Sequence, residues 1–104
     1  MADIVTNQFK MSGAEFIGTD QNGEPFKLKA ETGRQEYDKP NIVLLETVSG
    51  NAVRIQEGQK LKYDFSAKTG EYNRKEKNVR LRGNVRVFIS NGDKIFTDEM
   101  VIKL

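Results

Sequence analysis

The sequence has no cysteine and no histidine. Without cysteine, disulfides, thiolate nucleophiles and zinc fingers are excluded, and the compartment stays open, since both cytoplasm and cell envelope hold cysteine-free proteins. Without histidine the commonest general base near neutral pH is missing. A large charge of one sign is missing too. Seventeen Lys and Arg face fifteen Asp and Glu, a formal charge of +2. That is too small, and too evenly spread, to mark a nucleic-acid binder. The longest apolar run, Ile42-Val43-Leu44-Leu45, falls far short of the ~20 residues that cross a bilayer as a helix. No signal-peptide core follows Met1. No nucleotide-binding loop is present, and no window keeps a helical period.

What the chain has is alternation. In "GQKLKYDFSAKTG" the apolar Leu61, Tyr63, Phe65 and Ala67 take every second place, with Lys60, Lys62, Asp64, Ser66 and Lys68 between them. Such a strand has one wet and one dry face. "EPFKLKAE" repeats the design with Phe26, Leu28 and Ala30. Turn signals fall at Asn22-Gly23, Ser49-Gly50, Glu57-Gly58, Thr69-Gly70 and Asn91-Gly92. Strands at this spacing predict an all-β sandwich, roll or barrel in one domain. Residues 12–104 form that domain, and residues 1–11 read as an N-terminal extension or linker.

An internal repeat sharpens the picture. "AETGRQEYDKPNIVLLETVSGNAV" resembles "AKTGEYNRKEKNVRLRGNV": Ala30, Thr32 and Gly33 match Ala67, Thr69 and Gly70, and Tyr37 matches Tyr72. Stacked copies would complete one another's dry faces and leave a first and a last strand with free edges. The last is residues 96–104, with Met100, Ile102 and Leu104 on one face. Gly83, inside an otherwise regular strand, marks a sharp bend or close backbone approach. The sheet is then bent double at Gly83-Asn84, with Ser49-Gly50-Asn51 in the equivalent place of the first copy.

Material for catalysis is scarce. Asp98 and Glu99 are neighbours on a strand and point to opposite faces. Asp20, Asn22 and Gly23 faintly resemble a calcium loop but lack the closing acidic residue, so a hairpin turn is the better reading. Lys27, Lys29, Lys60, Lys62, Arg80, Arg82 and Arg86 occupy wet faces, where solvation and edge protection are the ordinary role and contact with anionic head groups at a groove's rim the functional one. The dry face gathers Phe26 and Leu28, then Val43, Leu45, Val53 and Ile55, then Leu61, Tyr63 and Phe65, then Val79, Leu81, Val85, Val87 and Ile89. These residues suit a plain core and an acyl-chain groove equally.

Order and spacing of motifs go further. "FIGTDQNGEPFKLKAETG" and "VRLRGNVRVFISNGDKIFTDEM" resemble the periplasmic domain of the LptC family of lipopolysaccharide-export proteins, within the wider OstA-like group that includes LptA. The matching segments are residues 16–26 (F-x-G-x-D-x-x-G-x-P-F), 67–72 (A-x-x-G-x-Y), 79–85 (v-x-L-x-G-n-V) and 92–98 (g-x-x-i-x-t-d). The resemblance implies an OstA-like β-jellyroll of stacked, bent antiparallel strands, V-shaped in section, with open edges at both ends. It implies a non-enzymatic, periplasmic module that needs no cofactor and holds lipopolysaccharide acyl chains in its groove. By analogy the C-terminal edge, with Phe96, Met100, Ile102 and Leu104, receives LptA by strand addition. The N-terminal edge, with Ala14, Phe16 and Gly18, faces the inner-membrane transporter LptBFG. Head-to-tail self-association is a corollary. LptC proteins carry an N-terminal membrane anchor that this sequence does not show. It was removed, or the chain is a soluble LptA-like relative; the LptC-like opening favours the first. The rival reading is a filled β-roll adaptor that bridges partners by edge pairing and binds no lipid.

Overall fold

The computed structural model describes residues 8–36 and 38–104. The first seven residues of the expected extension, and Tyr37 of the repeat, lie outside them. Six strands follow one another: β1 Gln8–Thr19, β2 Pro25–Glu36, β3 Ile42–Gln56, β4 Gln59–Asn73, β5 Asn78–Ile89 and β6 Lys94–Lys103. Each pairs antiparallel with the next, giving one sheet in the order β1-β2-β3-β4-β5-β6 that does not close on itself. Among the described residues there is no helix.

Three of the five turn signals reverse the chain. Glu57-Gly58 is a two-residue hairpin with φ of 50° and 79°, the pair of left-handed conformations that matches strand twist. Asn22-Gly23 and Asn91-Gly92 close the β1–β2 and β5–β6 hairpins. Ser49-Gly50 and Thr69-Gly70 instead lie inside β3 and β4. Their glycines admit close neighbours. A Cβ on Gly50 would meet the Lys27 carbonyl and sit 2.6 Å from the Phe65 ring.

A crease crosses all six strands. It runs through Gly13, Glu31, Thr47, Lys68, Gly83-Asn84 and Asp98, the positions skipped between register partners. Gly13, Thr47, Gly83 and Asn84 have positive φ there. Gly83 is therefore a bend, as its place in the sequence suggests. The equivalent bend of the first copy is at Thr47, three residues before Gly50.

The crease divides the sheet into two leaves. Leaf A holds residues 14–19, 25–30, 48–56, 59–67, 85–89 and 94–97; leaf B holds 8–12, 32–36, 42–46, 69–73, 78–82 and 99–103. The leaves fold onto each other: Phe16 of leaf A meets Tyr72 of leaf B edge-on, ring centroids 5.3 Å apart. Leu28, Val48, Val85 and Val87 from one side and Val43, Leu45, Val79 and Leu81 from the other are completely buried between them. Each such side chain contributes roughly 1.5–3 kcal/mol, which supports a sheet this small without any disulfide.

Facing changes at the crease. In β3 the inward residues are Val43 and Leu45 before Thr47, but Val48 and Ala52 after it. Val53 and Ile55 therefore sit opposite Lys62 and Lys60 on the outer face, and Ile55 is 56% exposed. This corrects their assignment to the inward face, although Ile55 borders the cleft beside β6. A one-residue slip reverses every later side chain, and no glycine marks the slip at Thr47. β5 keeps its facing because it carries two residues, Gly83 and Asn84, through the bend.

Candidate functional site

Most residues expected to line a groove are core. Phe26, Leu28, Val43, Leu45, Leu61, Phe65, Val79, Leu81, Val85 and Val87 are buried, and Tyr63 and Ile89 are partly buried against them. The interior opens beside β6. A cleft of about 430 Å³ lies there between Ala52, Ile55, Tyr63, Val87 and Ile95 of leaf A and Met100, Val101 and Ile102 of leaf B. Its cause is topological. Strands β2 to β5 have neighbours on both sides, whereas the edge strands have one each: β1 pairs with β2 alone and β6 with β5 alone. The inward residues of β6 are thus covered from one direction only, and Met100 and Ile102 stay half-buried.

Polar groups stand at one end of the cleft. Arg54, Gln56 and Lys103 border it, and Arg54 and Lys103 also border a smaller recess beside Asp20 and Leu104. Arg54 Nη1 donates to Asp20 Oδ2 at 3.2 Å. Asp20 is a buried carboxylate, its side chain 3% exposed. Its Oδ1 accepts from the backbone N–H of Asn22 at 2.8 Å and of Glu24 at 3.0 Å. The loop that faintly resembled a calcium site is therefore a hairpin tip satisfied by its own amides and one arginine. No cluster of three acidic metal ligands occurs among the described residues.

The remaining expected residues separate by face. Asp98 and Glu99 are both exposed, and Glu99 pairs with Arg80 at 3.7 Å and Arg82 at 3.6 Å on the outer face of leaf B. Lys27, Lys29, Lys60, Lys62 and Arg86 are on the outer face of leaf A. None of these seven cations borders the cleft. On β1, Ala14, Phe16 and Gly18 face inward, and β1 pairs with β2 alone. On β6, Phe96 points outward and is 65% exposed, while Leu104, just past β6, is buried and donates its N–H to Lys77 O at 2.8 Å. Ala52, Arg54, Ile95 and Lys103 border the cleft without having been singled out in the sequence. Ala52 and Arg54 were hidden by the reversal at Thr47.

One antiparallel sheet creased over an apolar interior, unpaired at β6 and open there, defines an open β-jellyroll with an edge cleft. The family model for lipopolysaccharide-assembly, LptC-related proteins matches residues 3–104, nearly the whole chain, and the chain belongs to that family. Membership gives it a role in lipopolysaccharide assembly and transport, on the periplasmic side. No curated protein matches the chain. Among the described residues no helix is long and apolar enough to cross a membrane.

Proposed function

We propose that the chain is a periplasmic lipopolysaccharide-transfer module whose acyl-chain site is the cleft beside β6. The observation that carries this reading is the apolar opening at an unpaired edge. Burial of acyl methylenes there is favourable by ~0.8 kcal/mol each, and the shallow, one-sided cover leaves the cargo free to move on. Phosphates and sugars stay outside, toward Arg54 and Lys103. Directional movement draws its energy from another component.

Edge pairing fits the same geometry. β6 crosses the crease from leaf A to leaf B, and β1 crosses it from leaf B to leaf A. An incoming β1 of a like domain therefore runs antiparallel to β6. Setting its Gly13 opposite Asp98 continues the crease, and places Phe16 beside Ile95 and Met11 beside Met100. All four face inward, so a single register prolongs the apolar interior across the junction. On this reading LptA adds to the β6 edge, the transporter LptBFG meets the β1 edge, and head-to-tail self-association uses both.

The adaptor reading has one observation in its favour, the filled core along the crease. Photo-crosslinkers at Tyr63, Val87 and Met100, with Lys62 as outer-face control, separate the two. With labelled lipopolysaccharide the transfer reading expects label at the first three positions only. Label nowhere, with edge pairing intact, would establish the adaptor.

A further inference from the structure

Six large apolar side chains are exposed among the described residues. Four of them, Ile17, Ile55, Phe88 and Phe96, share one surface, the outer face of leaf A. Two cross-strand rows build it. One runs Ile17, Lys27, Asn51, Asp64, Phe88, Lys94; the other runs Glu15, Lys29, Ser49, Ser66, Arg86, Phe96. Val53, Ile55, Lys60 and Lys62 extend it toward the β3–β4 turn. The face thus carries six cations against three carboxylates, Glu15, Asp64 and Glu24, the last paired with Lys60 at 3.5 Å. Leaf B is different. By register its outer rows hold five cations, Lys10, Arg34, Arg80, Arg82 and Lys103, against four carboxylates, Glu36, Glu46, Glu71 and Glu99, close to balance. Arg34, Arg80 and Arg82 are all ion-paired. Among the described residues Lys27, Lys62 and Lys94 make no ion pair.

We propose that the outer face of leaf A docks on the surface of an anionic phospholipid bilayer. Charge selects the occupant class: an unbalanced basic face is drawn to a negative surface. The distribution of apolar groups selects a bilayer over an acidic protein. Protein interfaces place an apolar centre within a polar rim. Here the order is reversed. Ile17 lies on one edge strand, and Val53 and Ile55 lie toward the β3–β4 turn. Phe88 and Phe96 lie at the edge opposite Ile17, about 24 Å from it by strand spacing. The apolar groups thus stand at the margins, with Lys27, Lys29 and Lys62 between them. Phe88 and Phe96 touch edge-on at 6.0 Å, and the Arg86 guanidinium sits 5.7 Å from the Phe96 ring centre. An aromatic prong beside a cation suits the head-group layer, where the ring enters the apolar boundary and the charge meets phosphate. Docking through this face leaves the β1 and β6 edges free and meets the cleft only at its border, at Ile55. The inference does not depend on what the cleft holds.

Vesicle sedimentation tests it with the full chain. Wild type cosediments with phosphatidylcholine vesicles containing phosphatidylglycerol, not with phosphatidylcholine alone, and salt releases it. Lys62→Glu with Lys94→Glu lowers the partition coefficient at least about tenfold. Arg80→Glu with Arg82→Glu, the same charge change on leaf B, leaves it nearly unchanged. Met100→Arg, which obstructs the cleft, also leaves it unchanged. The chain has no tryptophan, so Phe96→Trp introduces a single reporter, and its emission shifts to the blue on anionic vesicles. Absence of cosedimentation, equal loss from the two charge pairs, loss on Met100→Arg, or an unmoved emission spectrum in the Phe96→Trp variant would each overturn the proposal.

Discussion

Asp20 is a short residue with three bonds to keep. Two amides of its own hairpin and the Arg54 guanidinium converge on one buried carboxylate. Asp20→Ala strands all three donors, and is expected to cost about 2–4 kcal/mol, read as a lower midpoint in urea. Arg54→Met removes only one partner and costs less. Gly50 is sensitive for another reason. The Phe65 ring and the Lys27 carbonyl occupy the space a methyl group would need, so Gly50→Ala is expected to cost about 1–3 kcal/mol by overpacking. Sequence shows that a glycine is present, but not whether it bends the chain or admits a neighbour. Gly83 bends and Gly50 admits, and only the fold separates them.

At the level of the strand, alternation was legible wherever a strand stays within one leaf. Leu61, Phe65 and Ala67 face inward as their spacing requires. It failed across the crease, where Thr47 takes a left-handed conformation without a glycine and turns Val53 and Ile55 outward. The β5 reading succeeded because its bend takes two residues and restores the facing. The cleft was legible only in part, because Arg54 and Lys103 are ordinary polar residues until topology brings them to one opening. The edges give a prediction at this level. If β6 takes up β1 of a second copy with Asp98 opposite Gly13, Phe96 and Glu15 become outward neighbours. A chain carrying Glu15→Cys and Phe96→Cys then forms intermolecular disulfides on mild oxidation, seen as a ladder on non-reducing gels. Glu15→Cys with Thr97→Cys, which face opposite sides, does not. An equal ladder from both pairs would mean that the register is wrong. The cysteine-free background keeps the readout clean.

Across the whole molecule, one crease produces two outer faces, a filled core and a cleft beside β6. The core tolerates no charge: Phe65, packed against Gly50 and nearly inaccessible, would as arginine unfold the sheet before it blocked any ligand. Met100 is the better probe, since it is half-buried at the cleft. Thr69 is exposed on the outer face of leaf B, opposite Arg82, and does not border the cleft. The most direct measurement therefore compares Met100→Arg with Thr69→Arg in a binding titration against labelled lipopolysaccharide, with the β-sheet spectrum as a check on folding. The cleft account predicts at least about tenfold weaker binding for Met100→Arg, from a charge placed where acyl chains should lie, and near-wild-type binding for Thr69→Arg. Equal binding by both folded variants would contradict it.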